Sequence, residues 1–430
     1  MELALFLPFG EPQVIMSTKL ASIAPKWTDR PTTTTNSAYA GCPVSDFGNE
    51  LSRIEEAIGF LEAETSPLNI EKTTRFLYGL YRRASLTNRE ADFKQTERAI
   101  EEAIRRSGSC RDICFLKASL DLKLHRLGQA KLALQQAPGL VSSPSGKVLQ
   151  ADLDFQEGRY NAARACLETA IEENRSWDSL ARLAYFHWKM GDEALAERLY
   201  IESEDEITAK EPRAFAWVEL QRGLLDFSRG RYQETRVHYT RAGRAYTGYW
   251  LVDEHMAELL AAEDNYQSAI TLFKSIVERA TKPELKQAIG ELYLVNGQPE
   301  QAEPWLQSAL LDYLESVECG DVHYYHHLTD FYCCVRNDPK TGVDWAQRDL
   351  ALRPNFSSQA GLAWALYRDN QIDEAVDLMN LALASGVQDA RLYHQAGTIY
   401  LAAGRTTEGE KLIERAAQMN PRHEDFHVHH

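Results

Sequence analysis

A chain of 430 residues is longer than one ordinary hydrophobic core supports, so it must be several domains or an elongated repeat array. Its 47 Lys and Arg against 63 Asp and Glu leave a formal charge of -16 with no basic stripe, which argues against a nucleic-acid partner. No apolar stretch reaches the length of a transmembrane helix, so no membrane span is expected.

The first 48 residues read as an arm outside the main architecture. "MELALFLPFGEPQVIMSTK" lacks a cationic start and a small-residue cleavage site, and Pro8 interrupts its apolar run, which disfavours a signal peptide. "DRPTTTTNSAYAGCPVSD" is rich in Pro, Thr and small residues, as flexible segments are. "FGNELSRIEEAIGFLEAE" then reads as a helix leading into the rest. The seven cysteines are an odd count, and Cys110 and Cys114, four apart, have no second pair to complete a zinc set. Reduced thiols and a cytoplasmic location are the expectation.

Beyond this point the chain repeats itself. "LDFQEGRYNAARACLETAI", "FHWKMGDEALAERLYIES", "LDFSRGRYQETRVHYTRA", "LYLVNGQPEQAEPWLQSAL" and "IYLAAGRTTEGEKLIERAAQMNP" each show a helix, a turn usually marked by Gly or Asn, and a second helix. Aligning the turns places repeat starts at Leu77, Arg111, Pro144, Trp177, Ala216, Trp250, Pro283, His323, Phe356 and Ala390. The intervals are 34, 33, 33, 39, 34, 33, 40, 33 and 34. The eighth positions, from Ala84 to Gly397, and the twentieth, from Thr96 to Gly409, are where two helices of one hairpin touch, and only a small side chain fits there. Nineteen of these twenty positions hold Ala, Gly or Thr; Asp330 is the exception.

This pattern resembles the tetratricopeptide repeat over roughly residues 71–421. The resemblance implies an all-α, right-handed solenoid of about ten helical hairpins, with first helices lining a concave channel and second helices forming the back. The two long intervals divide it into blocks at 49–215, 216–322 and 323–421, followed by a His-rich tail at 422–430. In both, the second helix is expected to run on, through "LYIESEDEITAK" and "LQSALLDYLESVE". The last three repeats, with "YHHL", "RDLALRP" and "AWALYRDNQIDEA", are also similar to bacterial multi-repeat proteins, a likeness that implies no activity.

In arrays of this family, positions 2, 5, 9 and 12 of each first helix face the channel. Carried over, they are Tyr185, Trp188, Trp217, Phe227, Glu254, Glu258, Glu291, Tyr324, His327, Phe331, Trp364, Tyr367 and His394. The Lys and Arg clamp with which chaperone adaptors hold a C-terminal carboxylate is missing. An acidic, aromatic channel instead suits a basic or aromatic peptide or protein partner, or a small cation held over a ring.

The stretch "GDVHYYHHLTDFYCC", residues 320–334, is where a second chemistry suggests itself. His323 and His327, four apart, share one side of a helix, and with Glu254, Glu258 and Glu291 they make a candidate set for iron or zinc. Asp330 at the contact position calls for a partner, for which His326 and His327 are within a turn. Against this stands an ordinary amphipathic helix with satisfied histidines. There is no phosphate loop, nucleophile elbow, HExxH or spaced Cys–His set, so a scaffold without a cofactor is the leading expectation and a metal-dependent enzyme the alternative. The histidines of the tail, His423, His427, His429 and His430, resemble an adventitious chelating cluster on a mobile end.

Overall fold

The computed structural model describes residues 45–63, 69–137, 139–280 and 282–426. The expected arm therefore lies outside the described residues up to position 44, and Asp46–Gly48 already belong to the first helix. The described residues are helical throughout, without strands, and no helix among them is long and apolar enough to cross a membrane.

A leading helix, α1 (Asp46–Glu62), is followed by helices that pair in sequence. These are α2 (Ile70–Thr87) with α3 (Glu90–Ser107), α4 (Arg111–Lys123) with α5 (Leu127–Gln136), and α6 (Pro144–Gln156) with α7 (Tyr160–Glu173). Next come α8 (Trp177–Lys189) with α9 (Glu193–Glu206), α10 (Pro212–Phe227) with α11 (Tyr232–Ala245), and α12 (Trp250–Ala262) with α13 (Tyr266–Val277). The last are α14 (Pro283–Val295) with α15 (Pro299–Glu318), α16 (Tyr325–Asp330) with α17 (Pro339–Leu352), α18 (Phe356–Arg368) with α19 (Ile372–Ala384), and α20 (Ala390–Ala402) with α21 (Thr406–Met419).

Local chemistry explains each hairpin. Ser176 and Ser179 form a reciprocal capping box at the start of α8, and the Asn355 side chain accepts from the Ser357 and Ser358 amides at the start of α18. Every turn inside a hairpin holds one residue with positive φ: Asn88, His125, Gly158, Gly191, Gly230, Asp264, Gly297, Asn337, Asn370 and Gly404. That left-handed residue stops the first helix and turns the chain back. The small contact positions are buried in every hairpin but one, the exception again being Asp330.

The two long intervals have different causes. Before α16 the second helix does run on, as α15 is 20 residues long. Before α10 it does not: α9 ends at Glu206, a loop follows, and Pro212 opens α10 early. Pro at the first helical position starts a helix readily, because its missing N–H is not needed there. One apolar cluster runs from Ala151 to Phe331, across both of the expected block boundaries.

Contacts between residues about 200 positions apart decide the shape. The amide of Phe47 donates to the Thr247 carbonyl at 3.1 Å, and the Trp250 indole N–H to the Leu86 carbonyl at 3.0 Å. Arg126 reaches Asp321 at 3.1 Å, Asn355 donates to the Gln156 carbonyl at 3.1 Å, and the Gln388 amide to the Lys189 carbonyl at 2.8 Å. Tyr232 donates to Asp425 at 3.3 Å. The superhelix thus returns to itself after roughly six hairpins. The turns inside the early hairpins meet the loops that join the later ones, forming a continuous seam.

Candidate functional site

Closure of the superhelix changes what the inner positions are. Trp188, Trp217, Phe227, Tyr324 and Phe331 are buried rather than facing an open channel. Trp217 meets Trp177 edge to face at 6.2 Å, Phe227 stacks on Tyr232 at 5.4 Å, and Trp188 donates to the Ser228 hydroxyl at 3.2 Å. Tyr185 is half-buried, and the cation that visits its ring belongs to the chain itself: Lys189 Nζ lies 5.7 Å from the Tyr185 ring and 4.7 Å from that of Trp188, held by Asp389 at 3.2 Å. The expected cation–π site is in that place already filled.

The inner carboxylates are likewise buried and engaged. Lys282 Nζ sits 3.4 Å from Glu254 and 2.8 Å from Glu284, under the Trp250 ring. Glu258 bonds His255 at 2.8 Å. Burial alone would discharge the His255 ring, but Glu258 and Glu254 outweigh it and raise its pKa. Glu291 accepts from the Gln287 amide at 2.7 Å, and Gln287 accepts from Tyr313 at 2.9 Å. Burial raises the Glu291 carboxyl to about 7, opposed by the Gln287 bond and reinforced by Asp330.

A folded-state value above the unfolded one means that protonation favours the fold. The cost of holding Glu291 charged is absent below about pH 4.5, grows as pH rises, and is complete above 7. Glu291→Gln is therefore expected to match the wild type near pH 5 and to be the more stable by up to about 3 kcal/mol at pH 8, read by urea denaturation at the two pH values. A variant that is less stable at both would show that the carboxylate is needed as an anion.

The histidine segment departs most from expectation. Gly342, the twentieth position of its hairpin, lies against the Thr329 carbonyl and Cys333 Sγ, not against Asp330. Thr329, small and buried, therefore holds the contact position, and the repeat starts one residue earlier than the turn alignment implied. The extra residue is absorbed by a π-helical turn at Phe331–Val335, directly after α16. The apparent exception at Asp330 disappears. Its carboxylate is 24% exposed and lies 3.8 Å from Arg391; burial raises its pKa, while Arg391 and His326 oppose that. His327 stacks on Tyr313 of α15 at 5.7 Å, between repeats.

The expected metal set is not assembled. Among the described residues His323, His327, Glu254, Glu258 and Glu291 do not bring their donor atoms together, and the group that does is His394, His423 and Glu424. Nothing in the repeat pattern pointed to that trio, because it depends on the chain after α21 folding back onto α20. Burial, then His423, lowers the His394 pKa. Trp364 and Tyr367, by contrast, remain half-buried, their rings 5.1 Å apart, on the inner helix next to the one carrying Asp330.

A second concavity, of about 480 Å³, lies on the outer side between α9 and α11, lined by Leu225, Ala194 and Val237 together with Glu193, Glu197, Asp226 and Glu234. Its carboxylates largely answer the chain's own arginines, Asp226 with Arg231 at 2.7 Å and Glu193 with Arg229 at 2.8 Å.

Two segments of the chain match models of a known family. Family models described as tetratricopeptide repeat match residues 148–212 and 390–423. No curated protein matches. Among solved structures, the chain is similar to the APC/C hetero-tetramer Cut9–Hcn1 at 17% identity, over 87% of this chain and 79% of that one, with a TM-score of 0.41. It is also similar to a human IFIT1 dimer with PPP-AAAA at 16% identity, over 87% and 88% of the two chains, with a TM-score of 0.45. The two family matches, with the paired helices and small buried contact positions that continue between and around them, identify this chain as one that carries tetratricopeptide repeats.

Proposed function

We propose that this repeat protein is a protein-interaction scaffold that takes a basic, aromatic-bearing peptide on the part of its inner face lined by α16, α18 and α20. The observation that carries the reading is the contrast along that face. Most inner aromatics and carboxylates of the earlier repeats are buried against the chain itself, and the half-buried Tyr185 faces the chain's own Lys189, whereas Trp364, Tyr367 and Asp330 keep accessible surface on adjacent helices. Two rings beside a carboxylate offer a guanidinium or ammonium both a cation–π face and a counter-charge. Arg391 already occupies the Asp330 carboxylate loosely, at 3.8 Å, as an incoming cation would more closely.

A fluorescent dodecapeptide alternating Arg and Tyr, compared with its Glu–Tyr counterpart, tests this by anisotropy. Binding of the basic probe is expected to weaken about 5- to 30-fold in Trp364→Ala, an effect of about 1–2 kcal/mol. Arg391→Ala is expected to strengthen it, because the internal competitor is gone. Equal affinity for the two peptides, or indifference to both substitutions, would remove this face as the binding site.

A further inference from the structure

We propose that His394, His423 and Glu424 form a site for a divalent transition-metal ion of the zinc class, which fastens the segment after α21 onto α20. The three residues place one donor atom each within 4.8 Å of one another. His394 lies on an inner helix and His423 in the turn that follows the last helix, so the site exists only because residues 420–426 fold back. Their rings are 5.2 Å apart.

The hydrogen bonding of the two rings fits ligation. His423 has a side chain only 7% exposed, and its Nδ1 lies 3.1 Å from the Asn420 carbonyl. A carbonyl only accepts, so Nδ1 carries the proton and Nε2 carries the lone pair. A metal-bound histidine usually donates its other ring N–H to a backbone carbonyl or carboxylate in this way, which fixes the tautomer and the ring's direction. Nε2 of His423 and Nδ1 of His394 are both buried without a hydrogen-bond partner. Each ring thus keeps one sequestered nitrogen without a hydrogen bond, as a metal ligand would.

Glu424 supplies the third donor. Its carboxylate lies 3.9 Å from His423 Nε2 and is otherwise exposed, free to swing onto an ion. Two imidazoles and one carboxylate, with the fourth position left to water, match zinc's tetrahedral preference; calcium and magnesium prefer all-oxygen sets. The site also has a structural consequence. Asn420 and Arg422 rest against Gly230, and Asp425 accepts from Tyr232, so the same segment covers the turn between α10 and α11. An ion bound here would tighten the last contact of the seam.

The test uses the full chain, untagged, with His427, His429 and His430 each changed to Gln so that the end of the chain cannot chelate. Zn(II) titrated against a chromophoric chelator is expected to bind at one equivalent, and Co(II) to give the visible absorption of a tetrahedral site. His394→Gln and His423→Gln are each expected to lower affinity at least 10-fold, and Glu424→Gln less. In the tail-substituted parent, Zn(II) is expected to slow hydrogen exchange at residues 420–426, a readout that requires neither histidine variant to fold. Absence of stoichiometric binding in that parent, binding that survives both histidine substitutions, or unchanged exchange at 420–426 would overturn the proposal.

Discussion

Lys282→Met is expected to lower the unfolding free energy by about 3–5 kcal/mol, read by urea denaturation at pH 7. Its ammonium is the shared counter-ion of Glu254 and Glu284, and both carboxylates are buried. Removing the lysine leaves two negative charges in a low-dielectric interior, which costs far more than the ion pair itself contributes. Burial alone would favour the neutral amine, but the two carboxylates outweigh it and hold the lysine above its ordinary range. With both carboxylates ionised, the lysine's contribution is thus fully present below about pH 10.4 and is lost only as pH rises through the higher folded-state value. Adding Glu254→Gln and Glu284→Gln to Lys282→Met is expected to restore most of the loss. A cost under about 1 kcal/mol for the single change would mean that water reaches the triad.

Gly158→Ala is expected to cost about 2–5 kcal/mol, and Gly404→Ala only about 1–2 kcal/mol. Both glycines turn the chain inside a hairpin, with φ of 74° and 75°, so both variants carry the same left-handed strain. They differ in surroundings. A Cβ on Gly404 meets nothing within 4 Å, whereas one on Gly158 lies 2.8 Å from the Pro354 carbonyl across the seam. That carbonyl is backbone and cannot step aside without losing the Asn355–Gln156 bond and the Phe356–Tyr160 bond at 2.9 Å beside it. Small-angle scattering of Gly158→Ala is expected to show a larger radius of gyration than the wild type. Equal stability losses for the two variants would mean that the turns of the superhelix do not touch in solution.

The candidate site was legible in the sequence only where it depends on a single helix. Trp364 and Tyr367, three apart, share a face of α18 in the structure as the spacing implied. The supposed oddity of Asp330 was a one-residue error of register, since a π-helical turn leaves no mark in a pattern of small residues. The five expected metal donors came from helices whose mutual angle the sequence does not state, and they found partners closer at hand. His394 was legible as an inner position and His423 as part of a tail cluster, but their meeting with Glu424 was not, because the second and third members lie past the last repeat.

The sequence by itself determined the helices, their pairing and the small residues at which they touch, because each of these is settled within about forty positions. A helical period, a left-handed turn residue and an Ala or Gly opposite another are local requirements, written locally. Only the tertiary structure decided that the solenoid closes on itself, that most of its inner aromatics are core, and that its inner carboxylates have partners of their own, a cation for Glu254 and Glu284, His255 for Glu258 and the Gln287 amide for Glu291. Those outcomes follow from the superhelical pitch, which is the sum of small rotations from one hairpin to the next. No single repeat encodes that sum, and contacts across some 200 residues appear only when it is complete.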